Sequence, residues 1–429
     1  MNSVWKETCR MPRFPALKGD AKTDVLIIGG GIAGILTAYF LDKQGVNYIL
    51  AEKNHICSGT TQNTTAKITF QHGLIYHKLI KKYGVEKAKG YLIANRLAFE
   101  KYEELCRSID CDFEKKNNYV YTVSDRQKIE SELDALQRIR FDAILYEDVP
   151  LPVKTSGAVM FPEQAQFHPL KFVSSIAKDL NIYENTFVSE MKDNCAVTEF
   201  GKIYADKVIV ATHFPFINKH GSYYMKLYQH RSYVIALENA GGIDGMYVDD
   251  DKKGMSFRQY NDLLILGGGG HRTGQHGGSF NELRDFAKSK YPCSKEKYHW
   301  AAQDCISLDD MPYIGNYSKS TTDLYVATGF NKWGITGAMI AATLLNDAIM
   351  QKDNDFSSLF TPSRNMIQPR LFMNGFETVK SLITPTSRRC PHLGCALKWN
   401  NAEHSWDCSC HGTRIDKNGS ILDNPANKK

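Results

Sequence analysis

The stretch "TDVLIIGGGIAGILTAYFLDKQGVNYILAEK", Thr23 to Lys53, reads as a strand, a turn, a helix and a second strand. Val25 to Ile28 is a short apolar run of the kind that forms a buried parallel strand. The residues from Ile35 to Leu41 continue at helical spacing, and Tyr48 to Ala51 form a second apolar run that ends at Glu52. This order predicts a βαβ unit and hence an α/β fold built on a parallel sheet.

Three glycines, Gly29, Gly31 and Gly34, stand in the turn at the spacing G-x-G-x-x-G. The first permits the tight turn, the second lets the backbone approach a pyrophosphate, and the third lets the helix pack closely on the strand. The pyrophosphate then lies at the helix N-terminus, where free N–H groups and the helix dipole favour an anion. Glu52 stands where a carboxylate accepts hydrogen bonds from ribose hydroxyls. The stretch therefore predicts a dinucleotide-binding site.

The composition is that of a globular protein, since 42% of the 429 residues are hydrophobic and 23% are charged. The net charge of +6 is spread along the chain, which argues against nucleic acid as a partner. The longest apolar stretch, Val25 to Leu36, is too short to span a bilayer. The first residues, Met1 to Asp20, lack the apolar core of a signal peptide. We therefore expect a cytoplasmic protein with no membrane partner.

Two later segments favour FAD over NAD. Ser58 to Thr69, "SGTTQNTTAKIT", is rich in small hydroxyl residues without apolar periodicity, which suits a loop along a flat ring system. Asp323 to Met350 predicts a strand (Leu324 to Ala327), a glycine-rich turn and a helix beginning near Gly334, which is a second helix N-terminus aimed at a polar ligand. The chain has no second complete glycine fingerprint, so we expect no separate site for NAD(P)H.

Together these motifs resemble the D-amino-acid-oxidase-like superfamily of FAD-dependent oxidoreductases. The resemblance covers about residues 23–350 and includes "AQFHPL" (Ala165 to Leu170), "VIVATHFP" (Val208 to Pro215), "DDMPYIG" (Asp309 to Gly315) and "ATGFNKWGIT" (Ala327 to Thr336). It implies that the first glycine motif binds the ADP half of FAD, whereas the late turn and the "TTAK" loop lie beside the flavin. The FAD-binding residues that it implies are Gly29, Gly31, Ile32, Ala33, Gly34, Glu52, Lys53, Thr60, Thr64, Thr65, Ala66, Lys67, Val188, Ala211, Thr212, Gly329, Trp333, Gly334, Ile335 and Thr336.

The order of the elements predicts two interleaved domains. We expect a Rossmann-like FAD-binding domain from residues 1–84, 155–230 and 300–352, and an inserted, mainly antiparallel α+β substrate domain from residues 85–154 and 231–299. "GGGGHRTG" (Gly267 to Gly274) follows a strand but precedes no helix, so we expect a flexible loop there rather than a phosphate-binding turn.

Two basic residues are candidates for catalysis. Lys67 ends the loop that is expected beside the flavin, although a surface position is an equally good interpretation. Arg231 opens a strand of the substrate domain, where a guanidinium can hold a substrate carboxylate through two hydrogen bonds. An ordinary position at the rim of the site explains Arg231 at least as well.

A second cluster of functional residue types lies in "CPHLGCALKWNNAEHSWDCSCHG", Cys390 to Gly412. Cys390-x-His392 and Cys408-x-x-His411 are separated by fifteen residues. Two thiolates and two imidazoles can bind zinc, but zinc fingers group their cysteines together and their histidines together. Here each half carries one cysteine and one histidine, which favours a dinuclear cluster with both cysteines on one iron and both histidines on the other.

The two halves resemble the cluster-binding loops of Rieske [2Fe–2S] proteins over about residues 385–427. The resemblance implies that Cys390, His392, Cys408 and His411 are the iron ligands. It also implies a disulfide between Cys395 and Cys410, since their counterparts in respiratory Rieske subunits form one. We expect a small β-rich module at residues 385–429, shortened to its cluster-binding part, after a linker with a helix at residues 353–384.

The combination resembles bacterial FAD-dependent oxidoreductases with a C-terminal Rieske domain. It implies that a small amine or amino-acid-like substrate reduces FAD, and that electrons pass singly to the [2Fe–2S] cluster and on to an external carrier such as a ferredoxin. Two alternatives remain open at this point. Electrons can flow in the opposite direction, or the tail can be a structural or zinc-binding module on a simple flavin oxidase.

Overall fold

The computed structural model describes residues 2–251 and 254–425. Its strands are β1 Ala21–Ile28, β2 Tyr48–Ala51, β3 Lys67–Ile68, β4 Glu114–Thr122, β5 Ile144–Tyr146, β6 Gly157–Gln166, β7 Ile182–Tyr183, β8 Glu190–Lys192, β9 Cys195–Val197, β10 Lys202–Val210, β11 Leu227–Glu238, β12 Met246–Asp249, β13 Ser256–Tyr260, β14 Leu263–Arg272, β15 Lys295–Ser307, β16 Tyr313–Asn316, β17 Leu324–Thr328, β18 Leu397–Asn400, β19 Ser405–Cys408, β20 Arg414–Ile415 and β21 Ile421–Asp423.

The α-helices are α1 Val4–Thr8, α2 Ile32–Lys43, α3 Tyr76–Tyr83, α4 Val85–Cys106, α5 Arg126–Arg138, α6 Pro169–Ile176, α7 Tyr223–Lys226, α8 Phe280–Lys290, α9 Gly334–Ile349, α10 Ser357–Phe360 and α11 Pro369–Ile383, and Thr60–Asn63 form a 3-10 turn. Within the described residues, no helix has the length and apolar character needed to cross a membrane.

The first sheet has the strand order β16-β17-β10-β1-β2-β7, and the hairpin β8-β9 pairs with β10. The strands from β17 to β7 are parallel, whereas β16 pairs antiparallel with β17. Strand β1 is buried on both faces because α2 and α9 pack together on one side and other apolar residues cover the other. This arrangement confirms the predicted βαβ unit and its place at the centre of an α/β domain.

The second sheet has nine strands in the order β15-β11-β14-β13-β12-β4-β6-β3, with β5 on the side of β6. All of its pairs are antiparallel except β12 with β4. Strand β6 belongs to this sheet although residues 155–230 are expected in the FAD-binding domain, and β15 crosses the expected boundary at residue 300. The boundary between the two sheets therefore follows the antiparallel pairing of long strands, which the spacing of residues in the sequence does not reveal.

Strand β14 runs through Gly267 and continues to Arg272, so the predicted flexible loop is wrong. Gly267 pairs with Val234, and Gly268 pairs with Tyr233. A Cβ atom on Gly267 would approach the Ser256 hydroxyl to 2.7 Å. The glycines therefore permit close packing inside a strand, and they leave open space where β14 lines a cavity.

The C-terminal residues form a separate four-stranded sheet, β18-β19-β20-β21, preceded by α10 and α11. Its apolar core is small and contains the four motif cysteines together with Leu397 and Ile415. So few buried side chains cannot stabilise a domain by themselves, which is why the module packs against the larger body.

The close contact between α2 and β1 gives a test of the fold. A Cβ on Gly34 would lie 2.0 Å from the carbonyl oxygen of Gly29, so Gly34→Ala forces the helix off the turn. We expect this change to lower the free energy of unfolding by about 1–3 kcal/mol, measured by thermal denaturation. Gly90→Ala is the matched control in α4, because its nearest neighbour is an ordinary contact at 3.8 Å. Equal stability of the two variants would contradict this account of the turn.

Candidate functional site

A single cavity of about 1200 Å³ extends from the glycine motif to the C-terminal module. Its walls come from the turn after β1, the loop that contains Thr60 and Lys67, the N-terminus of α9, and strands β11, β14 and β15. The C-terminal module closes one part of it with Arg414, Leu422, Asp423 and Asn424. The predicted FAD-binding elements and the C-terminal module therefore border one continuous space, although none of the four predicted iron ligands is part of its lining.

The glycine motif has the geometry of a nucleotide cradle. Gly31 faces the cavity, where a Cβ would have only the Thr61 hydroxyl near it, at 3.6 Å. The same hydroxyl accepts a hydrogen bond from the Ile32 N–H at the start of α2. The Glu52 carboxylate accepts hydrogen bonds from the N–H groups of Gly30 (2.8 Å) and Asn54 (2.9 Å), and burial raises the pKa of Glu52. These residues fit the ADP half of FAD.

Most of the predicted FAD-binding residues line this cavity. They are Gly29, Gly31, Ile32, Ala33, Glu52, Lys53, Thr60, Thr64, Thr65, Lys67, Val188, Ala211, Thr212, Trp333, Gly334 and Ile335. The other four, Gly34, Ala66, Gly329 and Thr336, are outside the lining and contribute to its support. The Thr336 hydroxyl, for example, hydrogen-bonds the Nε2 atom of His72 at 3.0 Å. Direct contact with FAD stays a prediction for all twenty.

The "TTAK" loop is held from behind by a buried arginine that the sequence analysis missed. The Arg258 guanidinium donates to the carbonyl oxygens of Thr65 (2.7 Å) and Ala66 (2.8 Å), and the Trp5 indole N–H donates to that of Thr64 (2.7 Å). Burial, together with the nearby Arg258 charge, lowers the pKa of Lys67 to about 7. Lys67 therefore faces the cavity as an amine that changes charge near neutral pH.

His72 is another cavity residue that no sequence motif indicated. Its ring stacks on Trp333 with the ring centres 4.8 Å apart, and its Nδ1 lies 2.7 Å from the Tyr91 hydroxyl. Burial lowers the pKa of His72 to about 3, so the ring is neutral at physiological pH. The stacked pair fixes the position of Trp333 directly before α9.

Two residues of opposite charge, Lys332 and Asp304, line the same cavity. Lys332 precedes Trp333 with a left-handed backbone (φ 72°), and Asp304 belongs to β15. The Lys332 side chain is exposed to the cavity, where desolvation lowers the pKa of Lys332 and raises that of Asp304, and the attraction between the two opposes both shifts. Neither residue belonged to the predicted set, although Lys332 lies within the "ATGFNKWGIT" motif.

Arg231 has a different partner from the predicted substrate carboxylate. Its Nε donates to Glu403 at 2.7 Å and its Nη2 donates to the other oxygen of the same carboxylate, which belongs to the C-terminal module. Arg414 joins the same Glu403 at 2.9 Å and also pairs with Asp407 and Asp423. Because Glu403 already occupies the guanidinium, the structure gives the substrate-binding role of Arg231 no support.

The four predicted iron ligands converge as two pairs. The Cys408 thiol interacts with that of Cys390 and lowers the pKa of Cys390 to about 7. The rings of His392 and His411 lie 5.0 Å apart and are nearly perpendicular. The Nδ1 of His392 and both ring nitrogens of His411 are buried without a hydrogen-bond partner among the described residues. A cysteine pair beside two imidazoles, each with at least one buried ring nitrogen that has no partner among the described residues, fits the donor set of a Rieske cluster.

The disulfide predicted between Cys395 and Cys410 is not formed, so this prediction is wrong. All eleven cysteines lie within the described residues and are free thiols. The Sγ atoms of Cys395, Cys408 and Cys410 lie within 4.8 Å of one another, and the Cys395 thiol has hydrogen-bond contacts with both others. Cys395 therefore belongs to a group of three thiols, which is a second arrangement of donors that a metal can use.

The second cluster loop is anchored directly to the cavity wall. The Gln303 amide donates to the Gly412 carbonyl oxygen (2.9 Å), and the Gln229 amide donates to that of His411 (2.8 Å). Arg272 donates to the carbonyl oxygens of Ser409 (2.8 Å) and Cys410 (3.0 Å). The backbone carbonyl oxygen of Gln303 accepts a hydrogen bond from the Thr60 hydroxyl at 3.1 Å.

Comparison with known proteins agrees with both halves of the site. The model of the family described as "FAD dependent oxidoreductase" matches residues 24–348, and that of the "Rieske [2Fe-2S] domain" matches residues 376–429. A protein of Bacillus subtilis (strain 168) named as a Rieske 2Fe-2S iron-sulfur protein, YhfW, is 34% identical over 99% of this chain and 96% of its own length.

Solved structures share the fold of the larger body. Glycine oxidase from Geobacillus kaustophilus has a TM-score of 0.67 and 17% identity, with 80% of this chain and 99% of that chain covered. L-proline dehydrogenase from P. horikoshii has a TM-score of 0.66 and 18% identity, with 80% and 98% covered. The chain therefore belongs to the D-amino-acid-oxidase-like family of FAD-dependent oxidoreductases and carries a C-terminal Rieske [2Fe–2S] domain.

Proposed function

We propose that the protein oxidises a small amine or amino-acid-like substrate and passes the electrons through its Rieske domain to an external carrier such as a ferredoxin. The observation that carries this proposal is the position of Gln303. Its backbone carbonyl oxygen accepts a hydrogen bond from the hydroxyl of Thr60, which lies on the predicted FAD-binding loop. Its side-chain amide donates a hydrogen bond to the carbonyl oxygen of Gly412, next to the predicted ligand His411. One residue thus connects the two cofactor regions through hydrogen bonds.

The two cofactors have complementary chemistry: FAD takes a hydride from the substrate, and a [2Fe–2S] cluster transfers one electron at a time. The residues of the chain would hold and enclose them. The glycine turn, Glu52 and the Thr60–Lys67 loop would hold FAD, and Cys390, His392, Cys408 and His411 would hold the iron. The neutral His72 keeps Trp333 in place at the cavity wall.

An amino-acid-like substrate fits the charges in the cavity. We assign Lys332 to the substrate carboxylate and Asp304 to the substrate ammonium group, since both line the cavity and have opposite charges. The related structures support this substrate class, because their names state that they act on glycine and L-proline. The cytoplasm is the proposed compartment, since eleven free thiols suit a reducing environment.

The substrate class is tested by anaerobic loss of flavin absorbance with a panel of amino acids and the amines obtained by their decarboxylation. We expect amino acids to bleach the flavin, and Lys332→Met to raise their KM about tenfold or more, because a charge-assisted hydrogen bond contributes about 1.5–3 kcal/mol. The matched amines should keep the KM of the unchanged protein. No bleaching by any compound would refute the proposed function, and equal effects on both classes would refute the role of Lys332.

The iron ligands are tested by iron content and electron paramagnetic resonance after anaerobic purification. We expect His411→Ala to lose the iron and the Rieske signal, because its imidazole is a predicted ligand. Cys395→Ser is the matched control, since Cys395 is as buried as the ligands but lies outside the predicted set. Loss of iron in Cys395→Ser with retention in His411→Ala would instead assign the metal to the three-thiol group.

The role of Arg231 is tested by comparing Arg231→Gln with Glu403→Gln. Because each change removes one charge and its charge-assisted hydrogen bonds from a buried network in which Arg414 also pairs with Glu403, we expect either to destabilise the docked module by about 1.5–3 kcal/mol. Hydrogen exchange of residues 397–423 should then increase in both variants while KM for amino acids stays constant. A higher KM in Arg231→Gln alone would restore the predicted role in substrate binding.

A further inference from the structure

Helix α11 buries polar residues and exposes apolar ones, which is the reverse of a normal surface helix. The residues that it buries against the protein are polar, namely Asn374 (4% exposed) and Ser381 (5%). The Asn374 amide accepts from Arg272 (2.8 Å) and donates to the Met225 carbonyl oxygen (3.2 Å). The helix is therefore held on the protein by hydrogen bonds rather than by apolar packing.

The opposite side of α11 carries large apolar residues that point away from the protein. We call this the outer face, and its members are Phe372, Met373, Phe376, Val379, Leu382 and Ile383. Phe372, Phe376 and Ile383 are 69%, 70% and 76% exposed. Phe372, Phe376, Val379 and Ile383 follow one another at intervals of four, three and four residues, which places them in one stripe along the helix. A stripe of this kind on a soluble protein marks a surface that something else covers.

Two neighbouring features extend the outer face. Leu393, in the first cluster loop, is 41% exposed. Arg389 ties that loop to the helix, since it donates to the carbonyl oxygens of Leu382 (2.7 Å) and Gly394 (3.2 Å). Met373 and Phe376 also line the large cavity. The outer face thus lies between the mouth of the cavity and the loop that carries Cys390 and His392.

The charge around the outer face is positive. Between Ile367 and Asn400 the chain has Arg370, Lys380, Arg388, Arg389 and Lys398, with Glu377 as the sole acidic residue. Arg370 pairs with Asp310, whereas none of the ion pairs found among the described residues involves Lys380, Arg388 or Arg389. Apolar residues flanked by unneutralised basic residues match an anionic lipid surface, in which the headgroups are acidic and the acyl chains apolar.

We propose that α11 docks the protein on an anionic membrane surface, with the helix in the plane of the headgroups and its outer face in the acyl region. The 15 residues of α11 are too few to cross a bilayer, and they suffice for an interfacial position. This inference revises the expectation of no membrane partner, which rested on the absence of a spanning segment. It is independent of the proposed substrate and of the direction of electron flow.

Two other occupants fit less well. A second copy of the chain in a two-fold dimer would bring two surfaces of the same positive charge together, which is repulsive. A soluble acidic electron carrier matches the charge, but transient electron-transfer contacts are small. They do not require a stripe of six large apolar side chains.

The test is cosedimentation of the purified holoprotein with phosphatidylcholine vesicles that contain or lack phosphatidylglycerol. We expect binding to the anionic vesicles alone, with weakening at high salt because salt screens the basic residues. Phe372→Ser/Ile383→Ser should weaken binding about tenfold or more, because the apolar area buried in the membrane is lost. Lys380→Gln/Arg388→Gln should weaken it about thirtyfold, at about 1 kcal/mol for each charge.

Phe200→Ser is the matched control, since Phe200 is 52% exposed in the turn before β10, outside α11. It should bind vesicles like the unchanged protein, and all variants should keep their flavin and iron absorbance. Binding by the unchanged protein to neither kind of vesicle would overturn the proposal, as would equal binding to both. A dimer that Phe372→Ser/Ile383→Ser dissociates, without vesicle binding, would assign the face to a second copy. Binding of an acidic [2Fe–2S] ferredoxin, again without vesicle binding, would assign it to the carrier.

Discussion

A buried chain of ion pairs holds the Rieske domain against the flavin-binding body, and the arrangement of the whole site depends on it. Arg231 of β11 forms an ion pair with Glu403 of the Rieske domain. Arg414 pairs with the same Glu403 and also with Asp407 and Asp423. Such pairs are costly to desolvate and contribute little net stability, but they tolerate few alternative geometries. The small domain, whose apolar core is minimal, therefore takes its position from charge and hydrogen bonding rather than from apolar burial.

That position explains why the predicted flavin site and the C-terminal module border the same cavity. Strands β11, β14 and β15 supply Gln229, Arg272 and Gln303, which hold the second cluster loop, and the same strands form the wall of the cavity. The glycines of β14 leave open space within that wall.

The sequence predicts those parts of the site whose residues lie close together in the chain, and it misses those whose residues are far apart. The glycine turn, Glu52 and the cysteine and histidine spacing each operate within a short stretch, so the βαβ unit and the paired thiols and imidazoles are found where predicted. Arg231 is only a candidate for substrate binding or for an ordinary rim position in the sequence, because its partner, Glu403, lies 172 residues away. Gly267 to Gly270 resembled a loop because only the neighbouring strands show that glycine is needed for packing. His72 and Arg258 lie in no motif that the sequence offers.

The sequence by itself determined the chemistry of the protein: an FAD-binding turn at one end and a Rieske ligand set at the other, since both require fixed residue types at fixed short spacings. The tertiary structure alone decided how these parts are related. It placed polar residues of α11 inward and phenylalanines outward, paired Arg231 with the cluster domain, and left Cys395 and Cys410 as free thiols. The reason is physical: burial, charge pairing and sulfur–sulfur distance depend on segments that are remote in the chain and meet only in the folded protein.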